Sequence, residues 1–246
     1  MDGMSQAEVD RAESKDFALG GKPMRPRDAA TLLLLDRSKG DVRVLMGRRH
    51  KKHAFMPGKL VFPGGRTDPA DSRVIAGDAL LPEVESKLLT GGRRVTSARA
   101  RAIALSALRE TYEEAGLLIG RKTDYATTRE GWEGFAEHGV EPILSNLRLV
   151  ARAITPPGRV RRFDTRFIAA WRDDVAVELA DGGPTEELEE LVWLTIDQAG
   201  EADTPMITRT ILGDLRQRLE SDPDLSPETP VPFYYMRHRR FVRDIL

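Results

Sequence analysis

The run Arg109-Glu110-Thr111-Tyr112-Glu113-Glu114-Ala115-Gly116 constrains this chain more than any other segment. It follows an alanine- and leucine-rich stretch and ends on a glycine, the pattern of a helix with a left-handed stop. At about 100° per residue, Glu110, Glu113 and Glu114 share one face, while Leu105, Leu108, Tyr112 and Ala115 share the opposite one. The apolar face needs a sheet to pack on. The acidic face needs a counter-charge, because like charges at this spacing destabilise a helix by about 0.2–0.5 kcal/mol per pair. Arg109 can pair with Glu113, but one arginine cannot balance three glutamates. A hard divalent cation, Mg²⁺ or Mn²⁺, resolves the conflict, since it takes oxygen ligands and gains from concentrated negative charge. Gly64-Gly65 allows close backbone approach, so a carbonyl there can add a ligand.

Composition narrows the chemistry further. The chain has 246 residues, a length that suits one sizeable domain. It has no cysteine, which excludes thiol nucleophiles, disulfide scaffolds, zinc ribbons and iron–sulfur clusters. Lys plus Arg number 38 against 39 Asp plus Glu, so there is no global electrostatic case for nucleic acid or an anionic membrane. Apolar runs such as Leu32 to Leu35 are too short to span a bilayer, and the polar, acidic first residues carry no signal-peptide core. A cytoplasmic protein without membrane or nucleic-acid partners is expected.

Residues 1–27, ending in Pro23 and Pro26, are expected to form a mobile arm, and 28–246 a single domain. Ala30 to Leu35 and Val42 to Met46 read as a hairpin, followed by the basic run Arg48 to His53 and a short strand from Lys59 to Phe62. Residues 66–96 form a turn-rich insertion with a small helix over 74–87, and residues 121–147 a helical insertion. The central helix should run from a Thr96/Ser97 cap to Gly116. Strands are expected at 149–154, 163–171 and 191–196. An amphipathic helix at 205–219 should have Thr204 as its cap and Pro205 in its first position. The mixed order of strands and helices indicates an α+β fold.

The segment Phe62-Pro63-Gly64-Gly65 and the run Arg109 to Leu117 resemble the two halves of the Nudix box, G-x5-E-x7-R-E-U-x-E-E-x-G-U. The resemblance implies a Nudix-type α/β/α sandwich with a mixed central sheet and helical insertions. It also implies hydrolysis of a nucleoside diphosphate linked to another group. Carried over by position, Gly65, Glu113 and Glu114 would bind Mg²⁺ or Mn²⁺, Glu110 would be the general base, and Arg109 would orient a glutamate. Thr111 replaces an aliphatic residue, about thirty extra residues precede Arg109, and the position eight before it is Arg101 in place of glutamate. A distal metal ligand is assigned to Glu187, ahead of Trp193, with Glu186 as its competitor.

The interrupted box resembles the peroxisomal-type coenzyme A diphosphatases, as do Phe55 to Asp71 and Thr155-Pro156-Pro157-Gly158 leading to Arg161 and Arg162. That branch implies cleavage of coenzyme A or acyl-coenzyme A to 3′,5′-ADP and the matching 4′-phosphopantetheine. The upstream coenzyme A pattern is matched at Leu45, Arg49, Gly58 and Phe62 to Gly65, and missed at Gly47, His50 and Ala54. Arg49 and Arg162 are the candidate substrate-binding residues. Phe163, Trp132 and Tyr234 could stack on a base, but aromatics are more often core. The alternatives are a pyrophosphatase for ADP-ribose, dinucleotides or nucleoside triphosphates, and a non-catalytic nucleotide sensor. Homodimerisation is common in the family, and either insertion could serve as its interface.

Overall fold

The computed structural model describes residues 2–14, 20, 24–50, 56–91 and 96–246. The four leucines 32–35 set the architecture. They lie in β1 (Arg27–Asp36) and alternate between faces: Leu32 and Leu34 enter one core, Leu33 and Leu35 another. A strand buried on both faces must be central and covered on both sides. β1 pairs antiparallel with β2 (Arg43–Arg49), as the hairpin pattern predicts, and short strands β3 (Leu60–Val61) and β4 (Gly64–Arg66) add to β2 and β1.

The first insertion contributes a 3₁₀ turn, Pro69–Arg73, and helix α2 (Pro82–Leu89). This helix starts later than expected because Pro82 fits its first turn, while Leu81 in front of it is extended. With the N-terminal helix counted as α1 (Gln6–Ala12), the central helix is α3 (Ser97–Ala115). Its termini are as read from the sequence: the Thr96 hydroxyl accepts from the Arg99 amide, and Gly116 closes it at φ 70°. The second insertion has less helix than expected. Between β5 (Leu117–Ile119) and the main sheet it forms a ribbon of β6 (Arg121–Lys122) and β7 (Val140–Glu141) around the five-residue α4 (Glu133–Glu137).

The chain then returns to the main sheet as β8 (Arg148–Ile154) and β9 (Phe163–Trp171), and β10 (Val175–Glu178) pairs with β5. β11 (Leu188–Thr195), α5 (Ile196–Glu201), α6 (Met206–Ser221) and a terminal hairpin of β12 (Pro232–Arg237) and β13 (Arg240–Ile245) complete it. The main sheet runs β11-β2-β1-β9-β8-β12-β13, with β1–β9 and β8–β12 parallel and the other pairs antiparallel. Helices α2, α3 and α4 cover one face and α1, α5 and α6 the other, an α/β/α sandwich. Pro205 stands at the cap of α6 without a side-chain cap bond, and Thr204, expected there, is buried with its hydroxyl unpartnered.

The expected mobile arm is corrected for residues 2–14. Ser5 and Glu8 form a capping box that starts α1, and Val9 is fully buried. The fully enclosed Arg159 holds Asp10 at 2.6 Å and Glu13 at 2.8 Å. Backbone bonds join Gly3 and Met4 to Phe241, and Gln6 to Arg239. The two ends of the chain therefore clasp each other, through partners no local pattern reveals.

Gly116, the C-cap of α3, should tolerate no side chain. Its φ is left-handed, and a methyl group would collide with the Gly182 backbone. Gly116→Ala should lower stability by about 1–3 kcal/mol in urea denaturation, and a wild-type midpoint would contradict this packing.

Candidate active site

The alanine-rich middle of α3 seats the helix closely on the sheet, and its last two turns carry the charges. Arg109 is buried and reaches three carboxylates. Nη1 lies 2.9 Å from Glu110 and 2.8 Å from Glu113; Nε and Nη2 lie 3.2 and 3.3 Å from the two oxygens of Asp71. Burial opposes its charge, but Glu110 and Asp71 hold the guanidinium firmly protonated. Thr111, where the Nudix box pattern has an aliphatic residue, is fully buried and satisfies its hydroxyl on the Ala107 carbonyl at 2.7 Å. Tyr112 meets Phe135 of α4 edge-on at 5.8 Å.

Asp71 is the residue that counting backward from Arg109 misses. Counted forward, Gly65-x5-Asp71 fills the G-x5-E half of the pattern with the shorter acid. The extra residues therefore lie between Asp71 and Arg109, and no glutamate is missing at Arg101, which donates to the Val74 carbonyl at 2.6 Å.

Glu114 is buried and accepts from the Gly64 amide at 2.9 Å, which ties the end of α3 to β4. Gly65 faces Glu110 so closely that any Cβ would collide with its carboxylate. Glu187 arrives from the other direction. β11 pairs with β2, and three ion pairs run across this junction: Arg48–Glu190, Arg49–Glu187 and His50–Glu189, each 3.1 Å. Arg48 and Arg49 thus neutralise Glu190 and Glu187, and His50 contacts Glu189; Lys51 to His53 lie outside the described residues.

A cavity of about 370 Å³ opens beside Gly64 and Gly65. Glu110, Glu187 and Arg49 line it together with the apolar Phe163, Phe167, Ile154 and Ile207. Glu13 and Phe241 bring the clasped chain ends into its wall. Glu186 opens instead on a separate depression with Glu114 and His50. Arg161 lines the main cavity, whereas Arg162, the sequence candidate, does not. Its Nε and Nη1 donate to the carbonyls of Thr155 and Met24 at 3.0 and 2.7 Å, bracing backbone. Trp132 and Tyr234 are core residues, with exposures of 0% and 2%.

The carboxylates are in electrostatic tension. Burial pushes Glu110 up to about 7 against the pull of Arg109, and burial pushes Glu114 up to about 8 despite the Gly64 amide. Burial also raises Glu113. Oxygen donors gathered beyond what one arginine neutralises suit a hard divalent cation. Among the described residues, no three Asp, Glu or His side chains are already converged as metal ligands.

No family model matches the chain. Over 189 residues it is 28% identical to the "Putative nudix hydrolase 7" of Caenorhabditis elegans, a match covering 68% of this chain and 51% of the relative. The chain thus spans about half the length of the curated relative it matches. A solved NUDIX hydrolase from Alicyclobacillus acidocaldarius aligns with a TM-score of 0.56 and 26% identity, over 77% of this chain and 90% of that one. The fold is of Nudix type, and both likenesses support a place in the Nudix hydrolase family.

A carboxyl group whose pKa is raised on folding favours the protonated fold. That stability is complete below the ordinary carboxylate range and is lost as pH rises towards the folded value. In EDTA, the wild-type Tm minus that of Glu114→Gln should therefore fall between pH 5 and pH 8. Mn²⁺ should restore wild-type Tm at pH 8 far more than at pH 5. A difference that is independent of both pH and Mn²⁺ would contradict the buried, ionisable Glu114.

Proposed function

We propose that the chain is a metal-dependent Nudix hydrolase that cleaves the diphosphate of a nucleoside diphosphate derivative. The observation that carries this is the Arg109-centred carboxylate set, with Glu110 opening beside Gly65 into a cavity that also holds Glu187 and Arg49. Glu113, Glu114, Glu187 and the Gly65 carbonyl would hold Mg²⁺ or Mn²⁺. Such a cation, when bound, neutralises the diphosphate and makes water more acidic.

The chain's own residues do the rest. Glu110 takes the proton of the water that attacks phosphorus, and a pKa near neutrality suits a general base. Arg109 fixes the carboxylates of Glu110 and Glu113 from behind. Arg49 sits at the cavity with its Nε buried and unpartnered, an available donor for a phosphate oxygen. Arg161 takes the substrate-facing place first given to Arg162.

For the substrate we propose coenzyme A or acyl-coenzyme A. The support is the Arg49, Gly58 and Phe62-to-Gly65 match, together with a cavity whose apolar lining can take a pantetheine or acyl chain. The chain would act as a small-molecule enzyme, with homodimerisation and a cytoplasmic location as further parts of the proposal. Among the described residues, no helix is long and apolar enough to cross a membrane.

The test is incubation with Mn²⁺ or Mg²⁺ and a panel of coenzyme A, acyl-coenzyme A, ADP-ribose, NADH and diadenosine polyphosphates, with products identified by mass spectrometry. Release of 3′,5′-ADP from coenzyme A species is expected, and preferential cleavage of another member would replace the substrate. Glu110→Gln should lower kcat by about 10²–10⁴-fold while the fold persists. Glu113→Gln should abolish turnover, and wild-type rates in it at saturating Mg²⁺ would remove it from the site.

A further inference from the structure

Arg109 touches both glutamates with one nitrogen, so the plane of its guanidinium decides where their carboxylates rest. That plane is set from the opposite edge by Asp71, which takes Nε and Nη2 on separate oxygens. Asp71 is itself held by two donors besides Arg109. The Asp68 amide reaches Oδ2 at 3.3 Å, and the indole Nε1–H of Trp132 reaches Oδ1 at 3.0 Å. Asp71 belongs to the first insertion and Trp132 to the second.

Elsewhere the insertions are locked together, so the tryptophan is delivered to a fixed place. Asp78 accepts the Leu144 amide at 2.6 Å, the Gly77 amide bonds to the Pro142 carbonyl at 3.0 Å, and the Tyr125 hydroxyl donates to Ile75 at 2.9 Å. Trp132 is fully buried and packs on Phe135 with ring centroids 4.6 Å apart. An all-carbon aromatic ring would serve that packing. The indole also spends its N–H on the carboxylate behind Arg109.

We propose that Trp132 is a positioning residue for the carboxylate helix, acting through Asp71 and Arg109 on Glu110 and Glu113. This rests on the hydrolase function proposed above. Groups that orient ligands in this way commonly change metal affinity or activity by about 10–100-fold when removed. The contribution of Trp132 should be transmitted through Asp71 and not added to it.

The test is a double-mutant cycle of Trp132→Phe and Asp71→Asn. It reads the Mn²⁺ dissociation constant by electron paramagnetic resonance without substrate, and kcat and KM on whichever panel member the wild-type protein cleaves. Each single variant should weaken Mn²⁺ binding and lower kcat by about tenfold or more with KM little changed, and the double variant should be no worse than the weaker single. Phe135→Leu disturbs the same packing without touching Asp71, so it should lower Tm and leave Mn²⁺ affinity intact. Trp132→His keeps a ring N–H and should retain more affinity than Trp132→Phe; it also serves where the phenylalanine variant does not fold. Wild-type Mn²⁺ affinity and kcat in Trp132→Phe, losses that multiply in the double variant, or an equal loss in Phe135→Leu would each overturn the proposal while the hydrolase stands. A wild-type protein that neither binds Mn²⁺ nor cleaves any member of the panel would bring down the function, and the positioning role with it.

Discussion

Everything around the candidate site depends on one buried guanidinium. Burying the charge of Arg109 alone would be costly, and none of the carboxylates beside it can be buried cheaply without it. Each therefore requires the other. Asp71, 38 positions earlier, must fold back to α3, and the insertion carrying it becomes part of the core instead of a surface appendage. Arg109 is still outnumbered by Asp71, Glu110 and Glu113, while Glu114 is held instead by the Gly64 amide. The surplus of buried negative charge is what distinguishes this helix end from a structural ion pair.

A second set of charges delivers the distal acid. The ladder between β2 and β11 alternates its side chains, and the three cross-strand ion pairs settle which acid accompanies which base. Glu187 follows Arg49 to the main cavity, while Glu186 opens on the other depression. A basic run and an acidic run that look separately like solvated surface are here a matched seam, and among the described residues of the two runs Arg49 and Glu187 are the pair turned to the cavity.

Local signals were legible where the chain makes its own structure. The Thr96 cap, the Gly116 stop and the strand Phe163–Trp171 were readable because capping, turn chemistry and hydrophobic pattern act over a few residues. The cluster Arg109, Glu110, Glu113 and Glu114 was readable for the same reason. The sequence offers both Arg161 and Arg162 as substrate contacts, and adjacent residues of an irregular loop can point opposite ways, so only the fold shows that Arg161 lines the cavity while Arg162 braces backbone. Asp71 was hidden by the insertion behind it, although counting forward from Gly65 reaches it. The terminal clasp was out of reach: the Ser5–Glu8 capping box announces a helix, but nothing near it announces Arg159 or Phe241.

That clasp has a consequence for how the molecule is made. The Gly3 carbonyl is held by Arg240 and the Asp2 side chain by the Arg243 amide, contacts separated by 237 and 241 positions. At about 5–20 residues per second, residues 2–14 wait on the order of 10–50 s after their own synthesis for these partners. Until then α1 cannot be secured at the cavity wall, and the basin between Glu13 and Phe241 stays open to the surroundings. The cavity wall that Glu13 and Phe241 share is therefore completed only after β13 has been made.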